Sequence, residues 1–348
     1  MVQPHQPLRL KIDSAALIAN WRWLAKKSGT AACGAAVKAD GYGLGAREVV
    51  ARLADAGCRD FFVATWAEAA AVMPQIGAAS LSVLHGFAEE DLPLAIESSA
   101  RPVLNTPRQV VRWREAGQGR PCDVMIDTGM NRLGLSAEAV REGVLDGLRI
   151  HTLMSHLACA DEDVEMNAAQ LHAFADVSRL IPAERLSLAN SAGICLGSDY
   201  AFALTRPGIA IYGGIPRIEA EGAIKQVVRI EAQVIQRRRI SSGESIGYNC
   251  TFSADQEMEL AILNVGYADG YLRSFSKRGR ARIGDCFAAV VGRVSMDLTV
   301  ICVDDAPGLT EGDWVELDFD LAGASAQSDL SPYELLTTLG HRYQRIWS

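Results

Sequence analysis

A chain of 348 residues, 49% hydrophobic and 22% charged, is long for one domain and apolar enough to bury a core, which leaves two domains or a large barrel with an appendage. Its net charge of −8 argues against nucleic acid as a partner. The eight cysteines are scattered, with no C-x-x-C pair and no nearby histidine set, so reduced thiols in a cytoplasm are expected rather than a disulfide framework or a metal site. Met1 to Leu10 lack the apolar core of a signal peptide, and no run reaches transmembrane length, so no membrane partner is expected.

Asp13 and Ser14 are suited to cap a first helix whose Leu17, Trp21, Leu24 and Ala25 share a face. Short apolar runs then recur at 33–37, 61–65, 81–86, 101–105, 123–127, 151–158, 185–190 and about 202–212, most separated by helix-like segments. Eight strands alternating with helices predict an α/β fold, a closed (β/α)8 TIM-like barrel. A G-x-G-x-x-G turn of the open doubly wound kind is missing. After about residue 222 the pattern changes to short β-rich runs broken by Gly, Asp and Ser, at 227–237, 259–265, 281–283, 288–294, 299–303 and 314–317. The predicted organisation is therefore a barrel over 1–222 followed by a mainly antiparallel β domain over 223–348. Asp318–Ser331 reads as a surface loop and Pro332–Leu339 as a helix.

Lys38 follows the first buried run and opens a glycine-rich turn, ahead of Ala46, Val49, Val50 and Leu53 at helical spacing. A lysine there either snorkels to the rim or keeps a desolvated amine with a lowered pKa, suited to forming a Schiff base. Lys38, Asn105, Asp127, His156, Asn190, Ser191 and Arg206 all fall at or just after the C-terminal ends of the apolar runs. On a barrel those ends converge on the face that carries the active site. Asn190-Ser191-Ala192-Gly193 and Arg206-Pro207-Gly208-Ile209 follow the seventh and eighth runs, where barrel loops commonly bind phosphate. Ser191, Gly208 and Ile209 fit that role, and Tyr42 could add a phenolic donor. Arg206 could equally serve a structural salt bridge, and His156 could be a hydrogen-bonded core residue. In the second domain, Gly266-Tyr267-Ala268-Asp269-Gly270 and Gly292-Arg293-Val294-Ser295-Met296-Asp297 read as polar turns.

Together these segments resemble the alanine racemase family, enzymes built of an N-terminal barrel and a C-terminal β domain. The ordered matches are Val-Lys-Ala-Asp-Gly-Tyr-Gly at 37–43, Asp-Thr-Gly-Met-Asn-Arg-Leu-Gly at 127–134, Ser-His-Leu-Ala at 155–158, Ala-Asn-Ser-Ala-Gly at 189–193, Arg-Pro-Gly-Ile-Ala at 206–210, Gly-Tyr-Ala-Asp-Gly at 266–270 and Gly-Arg-Val-Ser-Met-Asp at 292–297. The resemblance implies a cytoplasmic homodimer that interconverts L-alanine and D-alanine with pyridoxal 5'-phosphate, for peptidoglycan supply or alanine catabolism. It implies that Lys38 forms the internal aldimine and acts as the base on the D side, and that Tyr267, from the partner subunit, acts on the L side. It assigns Arg206 to the pyridine nitrogen. Tyr42, Ser191, Gly208, Ile209 and Tyr333 fall to the phosphate. Arg132 and Met296 fall to the substrate carboxylate, and His156 to a hydrogen bond between Arg206 and Tyr267.

Three positions depart from the commoner pattern. Met125 stands where many members have a carbamylated lysine that steadies the arginine at 132, Ser187 stands where histidine is frequent, and Asp40-Gly41 replaces asparagine and alanine. A basic amino-acid decarboxylase shares the two-domain plan but sets a glutamate against the pyridine nitrogen, which Arg206 disfavours. A D-serine dehydratase-like or D-threonine aldolase-like enzyme would need a metal site, and none is visible in the sequence. A non-catalytic pyridoxal-phosphate carrier should lack residues 223–348.

Overall fold

The computed structural model describes residues 5–348, which divide into two compact units: Leu17–Lys225, and Gln226–Ser348 together with the segment that ends at Ala16. In Leu17–Lys225, seven parallel strands follow one another in chain order: Ala35–Ala36, Asp60–Val63, Ser80–Val83, Arg101–Leu104, Cys122–Met125, Ile150–Met154 and Ala183–Ser187. The eighth, Leu204–Thr205, closes the ring. Ala203 N–H donates to Leu186 O and Arg206 N–H to Ala189 O (3.1 and 2.9 Å) on one side. On the other, Ala32, Gly34 and Ala36 donate to Ala203, Thr205 and Pro207 carbonyls at 2.9–3.0 Å. The first strand is thus Ala32–Ala36 with a break at Gly34, where a Cβ would lie 2.8 Å from Asp60 O.

Strands such as Asp60–Val63 and Cys122–Met125 are buried at every position, as a sheet covered on both faces must be. That explains why they read as continuous apolar runs. The runs at 151–158 and 202–212 are longer than the ladders they contain, because apolar residues beyond the ladder are buried in mouth loops. Ile209–Tyr212, for example, is a fully buried 3-10 turn.

The opposite, N-terminal ends of the strands carry a polar floor. Arg185 holds Asp60 with two hydrogen bonds (2.6 and 3.1 Å), Ser80 Oγ adds a third at 2.8 Å, and Arg101 pairs with the fully buried Asp123 at 3.0 Å. Thr152 N–H also donates to Asp123 at 3.0 Å. Charges buried this deeply are tolerated only when paired and hydrogen-bonded. The floor therefore belongs to structure, and the mouth is left for chemistry.

The second unit is a β unit with a mostly antiparallel sheet. Its long strand Val228–Ile240 pairs with Leu8–Ile12, Trp314–Leu317 and Met258–Leu263, and Thr299–Cys302 joins the last of these. Arg280–Ile283 and Cys286–Ala289 extend the other side. Leu8–Ile12 precedes the barrel in the sequence and lies within the expected span 1–222, yet its buried Leu8, Leu10 and Ile12 alternate onto this sheet. Gln344–Trp347 pairs with it in parallel, the one such pairing in this unit among the described residues. The expected loop Asp318–Ser331 is corrected: it contains the helix Leu321–Ser328, capped by Asp320, whose Oδ2 accepts from Gly323 N–H at 2.9 Å. Leu321, Ala324 and Ser328 are its buried face, and the small residues between them hide the helical period. Among the described residues no helix is long and apolar enough to cross a membrane.

Candidate active site

Lys38 sits directly after the first barrel strand, half-buried at the mouth. Burial first, and then the positive charge of Arg132, lower its pKa below the ordinary lysine value, while Glu68 acts in the opposite sense. The result is an amine easier to free of its proton near neutrality. Beyond Lys38 the chain makes one turn of left-handed backbone: Ala39, Asp40, Gly41 and Tyr42 have φ of 52°, 52°, 63° and 55°. Each non-glycine residue in that conformation costs about 1–2 kcal/mol. Local hydrogen bonds offset this: Gly43 N–H to Ala39 O, Gly45 N–H to Asp40 O and Ala46 N–H to Asp40 Oδ1, all at 2.8 Å. The turn ends with the Tyr42 ring stacked on Tyr212, centroids 4.4 Å apart, and Tyr212 OH donates to Ala36 O at 2.8 Å.

Beside that stack lies an anion cradle. Ser191 Oγ accepts from the N–H groups of Gly208 (2.9 Å) and Ala210 (3.3 Å), so its own proton is left to donate elsewhere. The buried Ile209 N–H has no acceptor among the described residues. A buried amide left unpaired costs free energy unless a ligand accepts from it. A Cβ at 208 would fall 2.2 Å from Tyr42 OH, so the glycine keeps the tyrosine hydroxyl close to this corner. Unspent donors and a small-residue corner suit the phosphate of pyridoxal 5'-phosphate, with the Lys38 amine on the turn that ends at Tyr42. Gly208→Ala is expected to displace Tyr42 at a cost of about 1–3 kcal/mol. Dialysis of the variant should then release the cofactor much faster than from the parent, and equal retention would count against the cradle.

Arg206 is 7% exposed, and burial lowers its pKa to about 10, with Asp123 acting the other way. It stays a cation at neutral pH. Its guanidinium donates to Ser187 Oγ and to Ser155 O, and Ser187 Oγ in turn donates to Leu204 O. Ser187, where the resemblance leads one to expect histidine, thus holds the arginine through a neutral hydroxyl. The guanidinium's hydrogen bonds go to these two acceptors and not to His156. Burial first, then Arg206, Arg132 and Lys38, push His156 down to about 3, so its ring is neutral at working pH. The same influences show that Lys38, Arg132, His156 and Arg206 share one electrostatic neighbourhood.

Arg132 is exposed at the end of a loop gathered by a single carboxylate. Asp127 accepts from the N–H groups of Gly129, Met130, Asn131 and Arg132 at 2.8–3.1 Å. Burial tends to raise that carboxyl, but the backbone donors outweigh it and hold the group below its ordinary value. Met125 O accepts from Leu135 N–H at 2.9 Å, closing the loop at its base. With Met125 offering no charge to Arg132, this loop is what orders the arginine's backbone.

The remaining expected residues lie on the β unit. Tyr267 opens a 3-10 turn whose Tyr267 and Ala268 N–H groups donate to Ser295 and Met296 carbonyls, both at 3.0 Å. Gly266 permits that approach, since a Cβ there would meet both carbonyl oxygens at 2.4 Å. Behind the turn, fully buried Asp269 is gripped by Arg342 at 2.6 and 2.7 Å, and Arg342 also reaches Asp297 at 2.7 Å. The Arg273 guanidinium lies 5.0 Å from the Tyr267 ring centre. Met296 and Tyr333 are 53% and 50% exposed. One residue escapes a reading of the sequence: Glu68, whose carboxylate binds the turn after Lys38. Its signal is the Thr65-x-x-Glu68 spacing of a capping box, present in the structure at the start of the helix Trp66–Ile76.

A barrel bearing an amine of lowered pKa beside an anion cradle, joined to a β unit, defines a barrel-type pyridoxal-phosphate enzyme. Residues 12–216 match the alanine racemase N-terminal domain and residues 227–347 the alanine racemase C-terminal domain. The chain belongs to the alanine racemase family. It is 41% identical to an alanine racemase of Acidiphilium cryptum over 97% of this chain and 98% of that protein. It is also 41% identical to a catabolic alanine racemase of Agrobacterium fabrum over 97% of this chain and 91% of that protein. The crystal structure of alanine racemase from Bartonella henselae with covalently bound pyridoxal phosphate superposes with a TM-score of 0.93 at 35% identity, covering 99% of this chain and 100% of that one.

Proposed function

We propose that this chain racemises alanine by two-base proton transfer, as a cytoplasmic homodimer in which each site takes Lys38 from one subunit and Tyr267 and Met296 from its partner. The observation that carries the reading is the Lys38 amine, its pKa lowered, on the turn that ends at the Ser191–Gly208–Ile209–Tyr42 cradle. Met296, exposed while its carbonyl accepts from the Tyr267 turn, supports a covering subunit, and eight free thiols support a reducing compartment.

Pyridoxal 5'-phosphate, bound through Lys38, supplies the electron sink that acidifies the substrate's Cα–H. Ser191 Oγ, Ile209 N–H, Tyr42 and Tyr333 would hold its phosphate, and Arg206 would donate a hydrogen bond to the ring nitrogen. A guanidinium surrenders its proton poorly, so it would leave that nitrogen unprotonated and limit the sink, which favours return of the proton over side reactions. Arg132 and Met296 N–H hold the substrate carboxylate. On the D side Lys38 Nζ removes the proton as the free amine and returns it as the ammonium; on the L side Tyr267 removes it as the phenolate and returns it as the phenol. Two bases on opposite faces are the minimum for inversion. His156, neutral beside Arg206, adds no charge to the site.

Chiral analysis of alanine after incubation with the enzyme and pyridoxal 5'-phosphate tests the reading. Equal amounts of both enantiomers from either starting form are expected. Carbon dioxide release from a basic amino acid, with no change in alanine chirality, would replace this function by decarboxylation. Arg206, a cation where a decarboxylase needs a carboxylate, weighs against that outcome.

A further inference from the structure

Glu68 lies outside the set of groups so far given a role, on the first turn of the helix Trp66–Ile76. Its two carboxylate oxygens face different elements. Oε1 accepts from Ala39 N–H at 2.8 Å, the amide that immediately follows Lys38. Oε2 accepts from Ala64 N–H at 2.6 Å and Thr65 N–H at 3.4 Å, at the end of the second barrel strand. One side chain therefore ties the start of the left-handed turn to the neighbouring strand and helix.

From this geometry we infer that Glu68 is a positioning residue for Lys38, clamping the backbone from which the lysine springs. The inference rests on the proposed role of Lys38 as a base.

Three features make the clamp more than a helix cap. A capping box needs only Thr65 Oγ1 and a bond from the Glu side chain to the N-cap amide, and here that bond is the longest of the three. The short bonds go to Ala64 and across to Ala39. The turn they secure holds three non-glycine residues in left-handed backbone, which persists only where its surroundings over-determine it. Finally, the charged groups that act on Lys38 are Arg132, from the loop after the fifth strand, and Glu68, with His156 from the end of the sixth strand in the same field. Arg132 is a cation and His156 is neutral, so Glu68 is the anion of the set. It opposes burial and Arg132, keeping the amine from losing its proton too readily. A base needs that balance, since it must both accept the proton and give it back.

Glu68→Gln removes the charge and can still accept at one oxygen. Thr65→Ala removes the other half of the capping box and leaves Ala39 and Lys38 untouched. In the holoenzyme, the pH profile of α-proton exchange from D-alanine should shift to lower pH by about half a unit or more in Glu68→Gln, because losing the anion lowers the Lys38 pKa. The profile in Thr65→Ala should stay with the parent. KM should change less than kcat in Glu68→Gln. A readout that needs no turnover is the rate at which pyridoxal 5'-phosphate restores visible absorbance to the cofactor-stripped full chain as pH varies, since that rate follows the free amine. It should move in the same direction. Identical profiles in Glu68→Gln and the parent, or equal shifts in Glu68→Gln and Thr65→Ala, would overturn the inference. Failure of borohydride to trap the cofactor on Lys38 of the parent would instead remove the reading beneath it.

Discussion

Replacing Lys38 with alanine should erase the visible absorbance of the lysine-linked cofactor and lower racemisation by at least about a thousandfold. The expectation comes from position. Lys38 is the amine that opens the turn ending beside the Ser191–Gly208 corner, and its lowered pKa reflects burial and Arg132 together. Lys225, Lys277 and the other lysines lie outside that turn. Spectra of the purified variant, with borohydride trapping and peptide mass analysis, make the check. If the band survives through another lysine, Lys38 loses its role.

Tyr267→Phe should suppress α-proton exchange from L-alanine by roughly 100- to 10,000-fold and slow exchange from D-alanine far less. The substitution deletes one hydroxyl. The turn is held by backbone bonds to Ser295 and Met296 and by the Asp269–Arg342 pair, so the fold is expected to persist. Equal slowing of both enantiomers would invalidate the facial assignment. The proposed sharing of sites adds a stricter result: mixing inactive Lys38→Ala and Tyr267→Phe chains should restore activity, because a heterodimer can assemble one site from two intact contributions. No recovery after verified subunit exchange would leave each chain working with its own tyrosine.

Much of the barrel is legible because strands buried on both faces leave unbroken apolar runs, and polar residues at their ends mark the mouth. Lys38, His156, Ser191 and Arg206 are found that way. The ends of the runs are harder to read. Ile209–Tyr212 is apolar because it is buried, not because it is a strand, and no periodicity distinguishes the two over four residues. The helix Leu321–Ser328 is lost because alanine, glycine and serine give almost no hydrophobic contrast between its faces. Glu68 is overlooked for another reason: its partners are backbone amides, which every sequence offers at nearly every position. The left-handed turn is invisible as well, since Ala39 and Asp40 carry no signature of it. Only the packing around them selects that backbone.

The strand Leu8–Ile12 has a consequence for how the molecule is made and cut. It is sandwiched between Val228–Ala232 and Gln344–Trp347, so segments far apart in the sequence zip together. Residues 344–347 must be synthesised before this seam can form, and a fragment begun at residue 223 would lack its middle rung. Such a fragment would leave amide and carbonyl rows open on both flanking strands, the template on which unrelated chains stack. The three strands are thus one joint, and a cut that removes either neighbour of Leu8–Ile12 loads the same seam.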